Sequence, residues 1–254
     1  MGLSGSGVRW RAAGLYLRPA AGGELGPLRG LAFDLGGTLD SDGGSWDARF
    51  RSHWRALGID ATGEAAHAAL EAGERAVLEH RGAAQLVLEP MIALHVEAQL
   101  ASLGLQDRNL RETLVARFAG ETAAALRGRR PLLAALAQRL PLAVVSNGCG
   151  NTRLLVEEAG LGDLFRVVVD SSEVGVWKPD PGILEPVLRA LAVPAAELAL
   201  VGDRVDRDAE AARAAGMRAV WVSGAAAPPA DDPRLARVDA VIASVEALAP
   251  ESPA

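Results

Sequence analysis

Six short apolar, β-branched runs limit what this chain can fold into. They are "LRGLAFDLGGT" (28–38), "LPLAVVSNG" (140–148), "FRVVVDSSE" (165–173), "LALVGDR" (198–204), "MRAVWVSG" (217–224) and "DAVIASV" (239–245). Most end in a polar or glycine-rich turn. Helical patterns near 150–160, 181–192 and 207–215 lie between most of them. Strand and helix alternating in this way predict an α/β fold: a parallel sheet with helices on both faces.

One interval breaks the rhythm. Between the first and second runs lie about 100 residues without a convincing strand, where the spacing predicts helices near 45–58, 63–81, 85–103 and 108–127. Thr62 is placed to cap the second of these, with acids in the turn that follows, and Pro131 starts a further helix, "PLLAALAQRL". The expected organisation is an α/β core formed by 29–44 and 129–250, an α-helical cap domain inserted over 45–128, and a disordered extension over 1–28. The tail "APESPA" is expected to be disordered as well.

Composition excludes several classes. The 254 residues are ample for a sizeable core. A net charge of −6 gives no basic face for nucleic acid. No apolar run approaches the ~20 residues of a membrane span. The single cysteine, Cys149, cannot form an intramolecular disulfide, which is compatible with a reducing compartment, and a cytoplasmic location is expected. The first 28 residues carry Arg9, Arg11 and Arg18 against one acid, Glu24, and lack the clean apolar core of a secretory signal. A transit peptide is the alternative to a disordered extension there. Oligomeric state is not legible.

Chemistry gathers at the strand ends. In open parallel sheets, ligands sit beyond the carboxyl ends of the strands. The first four runs bring Asp34, Ser146 and Asn147, Lys178 and Asp203 toward that edge. Lys178 is the one lysine among 26 basic residues. Arginine and lysine are interchangeable on most solvated surfaces, so the surviving lysine points to a need for a compact ammonium. Two carboxylates in one pocket repel unless a cation lies between them, and Mg²⁺ commonly takes one or two protein carboxylates. A carboxylate can also attack phosphorus to form an aspartyl phosphate. The transferred group then needs positive charge and hydrogen bonds on its oxygens.

The stretches "FDLGGTL", "VVSNG", "VWKPDP" and "VGDRVDRDAEAARAAGM" resemble, in order, the four signature motifs of the haloacid dehalogenase (HAD) superfamily. The resemblance covers about residues 29–246, and the helical insert falls where that superfamily places its cap. It implies a Rossmann-like core, Mg²⁺ and, most often, phosphatase activity on a small phosphorylated metabolite. By that resemblance Asp34 is the nucleophile and Lys178 neutralises charge on nucleophile and phosphate. Gly37, Thr38, Ser146 and Asn147 join Lys178 around the phosphoryl group. Asp34, the backbone carbonyl of Gly36, Asp203 and Asp208 hold the metal, with Asp206 a weaker candidate.

Gly36 departs from the pattern. Typical phosphatases of the superfamily carry a second aspartate there, which protonates the leaving oxygen and then activates water. Its loss removes general acid–base catalysis, typically ~10²–10⁴-fold. Four readings follow. The protein is a phosphatase acting on good leaving groups or borrowing an acid such as Asp40, Asp42 or Glu71; or a phosphonatase, which needs a cap lysine absent here; or a dehalogenase, which uses no Mg²⁺; or a non-catalytic descendant that binds a phosphorylated ligand or a protein partner. A phosphomutase relies on the missing acid. "VVSNGCGNTR" lacks the third glycine of a dinucleotide turn, with Arg153 in its place. His53, His67, His80 and His95 show no metal-ligand spacing. Cys149 reads as a small turn residue, and Arg49, Arg51 and Arg55 as a solvated helix face.

Overall fold

All six apolar runs become strands of one parallel sheet. The computed structural model describes residues 8–11, 14–17 and 27–250. The sheet strands are β3 (Gly30–Phe33), β4 (Leu142–Ser146), β5 (Val167–Asp170), β6 (Leu198–Gly202), β7 (Arg218–Val222) and β8 (Ala240–Ile242), in the order β5-β4-β3-β6-β7-β8. Every neighbouring pair is parallel; Phe33, for example, pairs with Val144 on one side and Val201 on the other. Alternate residues go to opposite faces, as the two-residue period requires. Leu31, Phe33, Val144 and Val201 join one apolar cluster. Ala32, Val145, Leu198 and Leu200 join the other, with Ile183 and Val187 beneath them. Burial on both faces explains why these strands read as continuous apolar runs rather than alternating ones.

Two further strands, β1 (Val8–Arg11) and β2 (Gly14–Leu17), pair antiparallel in a separate ribbon, with Val8 opposite Leu17. They fall inside the segment expected to be a disordered extension, and the pairing corrects that expectation for these eight residues. The rest of 1–26, and the tail beyond residue 250, lie outside the described residues.

The interval between β3 and β4 is helical throughout: α1 (Trp46–Ala56), α2 (Gly63–Leu78), α3 (Leu88–Ser102), α4 (Arg108–Gly128) and α5 (Arg130–Ala137). Ser45 caps α1 through the Ala48 amide, and Asp107 caps α4 through the Leu110 amide. Thr62 stands at the start of α2 without a side-chain cap bond. The insertion has its own aromatic centre. Phe50 and Phe118 stack at 3.9 Å, and His95 lies on Phe50 at 4.9 Å. The remaining helices are α6 (Thr152–Glu158), α7 (Ser171–Val174), α8 (Glu185–Leu191) and α9 (Glu210–Ala214).

Strand order reverses beside β3. The chain moves from β3 to β4 and β5 on one side, then crosses to β6 and β7 on the other. The crevice of such a sheet opens at that point, beyond the carboxyl ends of β3 and β6.

Candidate active site

Asp34 follows the last residue of β3, and its amide donates to the Val201 carbonyl at 2.9 Å, so the strand ladder itself fixes its backbone. The chain then turns sharply. Gly37 has φ +88°, a left-handed conformation, and a Cβ there would collide with the Asp203 carboxylate. Asp203 is thereby seated directly over the turn, where the Thr38 hydroxyl reaches its Oδ1 at 3.4 Å. Gly202 plays the same part for Asp208: a Cβ at 202 would strike that carboxylate. Asp208 Oδ2 accepts from the Arg204 amide at 2.9 Å.

Lys178 arrives from the segment after β5. Its Nζ lies 2.5 Å from Asp34 Oδ1 and 2.7 Å from Asp208 Oδ1, and it donates to the Val145 carbonyl at 2.9 Å. Asn147 holds the backbone that presents it: Oδ1 accepts from the Lys178 amide at 2.9 Å and Nδ2 donates to the Lys178 carbonyl at 3.1 Å. Ser146 is the last residue of β4, and its side chain lines the same cavity. Burial alone would push the Lys178 ammonium down, but Asp208 and Asp34 beside it outweigh burial and hold it above the ordinary lysine range.

The carboxylates respond in the opposite sense. Burial raises Asp34 well above the usual carboxylate range; Lys178 opposes the shift, while Asp208 and Asp203 add to it. Asp203 is pushed up to about 7, by burial first and by Asp208 next. A charge imbalance adds to the effect of burial. Asp34, Asp203 and Asp208 bring ligand oxygens within 4.8 Å of one another, facing one ammonium. With all four groups ionised, two negative charges remain, which a divalent cation would balance. An all-oxygen donor set of this kind suits Mg²⁺.

The cavity has a volume of about 740 Å³ and lies between the sheet edge and the helical insertion. Asp34, Gly36, Ser146, Asn147, Lys178, Asp203 and Asp208 all line it. Gly37 and Thr38 stand outside that lining. The Gly37 amide donates to Asp40 Oδ1 at 2.6 Å, and Thr38 is fully buried. Asp206 faces solvent, paired with Arg204 at 2.7 Å. Arg49 turns inward onto Asp40, Thr122 and the Phe118 ring rather than lying on a solvated face. Arg55 is exposed.

Asp40 is a hub that the sequence alone does not reveal. Its buried carboxylate accepts from the Gly37 amide, from Trp46 Nε1 at 2.7 Å, from Ser41 Oγ at 3.0 Å and from Arg49 at 3.1 Å. Arg49 continues to Thr122 Oγ1 at 2.7 Å, so the turn after β3 is tied through α1 to α4. Asp42 is engaged elsewhere, with Arg129 and the Val245 amide. Sequence shows Asp40 and Asp42 only as acids near a motif; the donors to Asp40 lie within nine residues of it, whereas those to Asp42 come from distant segments.

A model of the haloacid dehalogenase-like hydrolases matches residues 28–216. The chain belongs to the haloacid dehalogenase-like hydrolase family. Among the relatives of this hydrolase, a phosphoglycolate phosphatase of Pectobacterium atrosepticum is 32% identical over 202 residues, 79% of this chain and 82% of that one. A phosphoserine phosphatase of Thermus thermophilus is 42% identical over 95 residues, 37% of each chain, so that match spans little more than a third of the Thermus enzyme. In structure, a HAD hydrolase of Bacillus subtilis bound to magnesium shares the fold, with a TM-score of 0.52 at 21% identity over 87% of this chain and 96% of that one. The L-2-haloacid dehalogenase of Xanthobacter autotrophicus shares it too, with a TM-score of 0.51 at 20% identity over 85% and 95%.

Proposed function

We propose that the hydrolase is a Mg²⁺-dependent phosphatase of small phosphomonoesters that works through an aspartyl phosphate on Asp34. The observation that carries the reading is the pairing of Asp34 with Lys178 at 2.5 Å inside a cavity shared with Asp203 and Asp208. Asp34 presents a carboxylate oxygen to phosphorus. Lys178 and the Ser146 hydroxyl bind phosphoryl oxygens and stabilise the charge on them. Asn147 keeps Lys178 in place. Asp34, Asp203, Asp208 and the carbonyl of Gly36 would hold Mg²⁺, which supplies charge neutralisation to the phosphoryl group when bound. The helical insertion serves as a cap over the cavity and excludes water from it.

The relatives named as phosphatases support this reading over dehalogenation, because the dehalogenase likeness is one of fold. The carboxylate trio supports it too, since a halide displacement has no use for a divalent cation there. The test is phosphate release from phosphoglycolate and phosphoserine, with Mg²⁺ and with chelator, by the natural protein and Asp34→Asn. Release that needs Mg²⁺ and disappears in Asp34→Asn is expected. Saturable phosphoester binding without turnover would replace the phosphatase with a binding protein.

A further inference from the structure

The turn after Asp34 holds no free acid. At position 36 there is only a hydrogen, and a Cβ built there would meet the Trp46 indole at 3.4–3.9 Å. The indole N–H is spent on Asp40 at 2.7 Å. Asp40 has four donors, one of them a guanidinium, so both of its oxygens are already engaged by the turn and α1. Asp42 is turned away toward Arg129.

Part of the cavity lining is apolar, beside the polar His67, Glu71 and Glu74 of the insertion. Leu70, Val77 and Met91 supply that part from the insertion, and Leu155 from the core. Leu78, Val174 and Trp177 are the large hydrophobic side chains that the described residues leave exposed. Two of these three, Leu78 at 57% and Trp177 at 48% exposure, open into this same cavity. Trp177 directly precedes Lys178, and both residues line this cavity. Pockets of about 740 Å³ lie in the range that accepts drug-sized ligands, far more than a two-carbon phosphate fills.

These two observations share one solution. Resting on the phosphatase reading above, we propose that the substrates are phosphomonoesters of phenols, with the aryl ring seated against Trp177 and the apolar wall. A phenol has a pKa of about 10, as tyrosine does, whereas an aliphatic alcohol lies near the 15.7 of water. A phenolate therefore departs without a proton donor. An Asp34 oxygen bonds to phosphorus, the P–O(aryl) bond breaks, and the electron pair leaves on the aryl oxygen, which takes its proton from water. A water oxygen then bonds to phosphorus, the P–O(Asp34) bond breaks to restore the carboxylate, and the water's proton passes to solvent. The Asp34 carboxylate is itself a good leaving group, so this second step needs no acid.

The test measures kcat/KM with Mg²⁺ for phenyl phosphate, 4-methoxyphenyl phosphate, phosphoglycolate and phosphoserine, in the natural protein, Asp34→Asn, Gly36→Asp and Trp177→Ala. Aryl esters are more labile in themselves, so the ratio between variants decides the matter. Gly36→Asp is expected to raise the alkyl-over-aryl ratio of kcat/KM by ~10²-fold or more. Trp177→Ala, at an exposed position that does not threaten folding, is expected to cut the aryl-over-alkyl preference about tenfold through KM. Equal gains on both classes in Gly36→Asp, or an unchanged preference in Trp177→Ala, would overturn the aryl assignment and leave the phosphatase standing. Absence of Asp34-dependent release from every ester would overturn the phosphatase reading and this one with it.

Discussion

At the residue scale, the site is set by which groups are allowed to touch. Lys178 shows this best. The chain uses arginine wherever a solvated cation suffices, yet keeps a lysine where one nitrogen must meet Asp34, Asp208 and the Val145 carbonyl at once. A guanidinium is planar and wider, and cannot converge on three oxygens from one atom. Lys178→Arg is expected to abolish turnover while the fold persists, as read by phosphate release beside circular dichroism. Gly37 makes the complementary point. Gly37→Ala forces a side chain into a left-handed conformation, costing about 1–2 kcal/mol, and drives its Cβ into the Asp203 carboxylate. The Mg²⁺-induced rise in melting temperature is expected to vanish in that variant; a full rise would refute the role given to Asp203. Asp34, Lys178, Asp203 and Asp208 were legible in the sequence because each stands at a fixed offset from a strand end or motif. Asn147 and Asp40 were visible as residues but not in their roles: Asn147 bonds the backbone of Lys178 across 31 residues, and Asp40 gathers its donors only through the fold of the turn into α1.

At the element scale, periodicity was a sufficient guide. The six strands fell within the six apolar runs, and α1 to α4 fell within or one residue past the ranges expected from spacing. Those segments were legible because burial on two faces, or on one helical stripe, leaves a pattern every few residues. The β1–β2 ribbon was missed because four-residue strands in a Gly-rich segment leave no such pattern. The junction of elements was also illegible. Asp40 joins the turn after β3 to α1, and Arg49 carries the link to Thr122 on α4. Asp40→Asn offers one acceptor oxygen in place of two, so Trp46 or Arg49 loses its partner. A loss of about 1–3 kcal/mol is expected from a buried donor left unpaired. Equilibrium urea unfolding measures it, and a midpoint equal to that of the natural protein would show that the hub carries no stability.

At the scale of the whole molecule, buried titratable groups make stability depend on pH and metal together. His95 is buried against Phe50, with Gln99 2.7 Å from its Nδ1, and burial lowers its pKa from 6.5 to about 4. The folded state therefore binds fewer protons than the unfolded state between those values, and the stability His95 contributes is lost as pH falls through about 4. Asp203 has the opposite sign. Its pKa is raised from 3.8 to about 7, so the folded state binds more protons, and its contribution is lost as pH rises through about 7. At about 1.4 kcal/mol per pKa unit, the two slopes largely oppose one another between pH 4 and 6.5. Above pH 7 the uncompensated loss at Asp203, reinforced by the raised Asp34, remains. A cation held by these carboxylates favours their ionised form and removes that loss. Without metal, the melting temperature is expected to fall from pH 6 to pH 8. Saturating Mg²⁺ is expected to restore it at pH 8 and to add little at pH 5, where Asp203 is protonated and has no free charge to offer. Calorimetric scans across pH, with and without Mg²⁺, measure both halves, and an equal Mg²⁺ effect at pH 5 and pH 8 would break the link between the carboxylate trio and the cation.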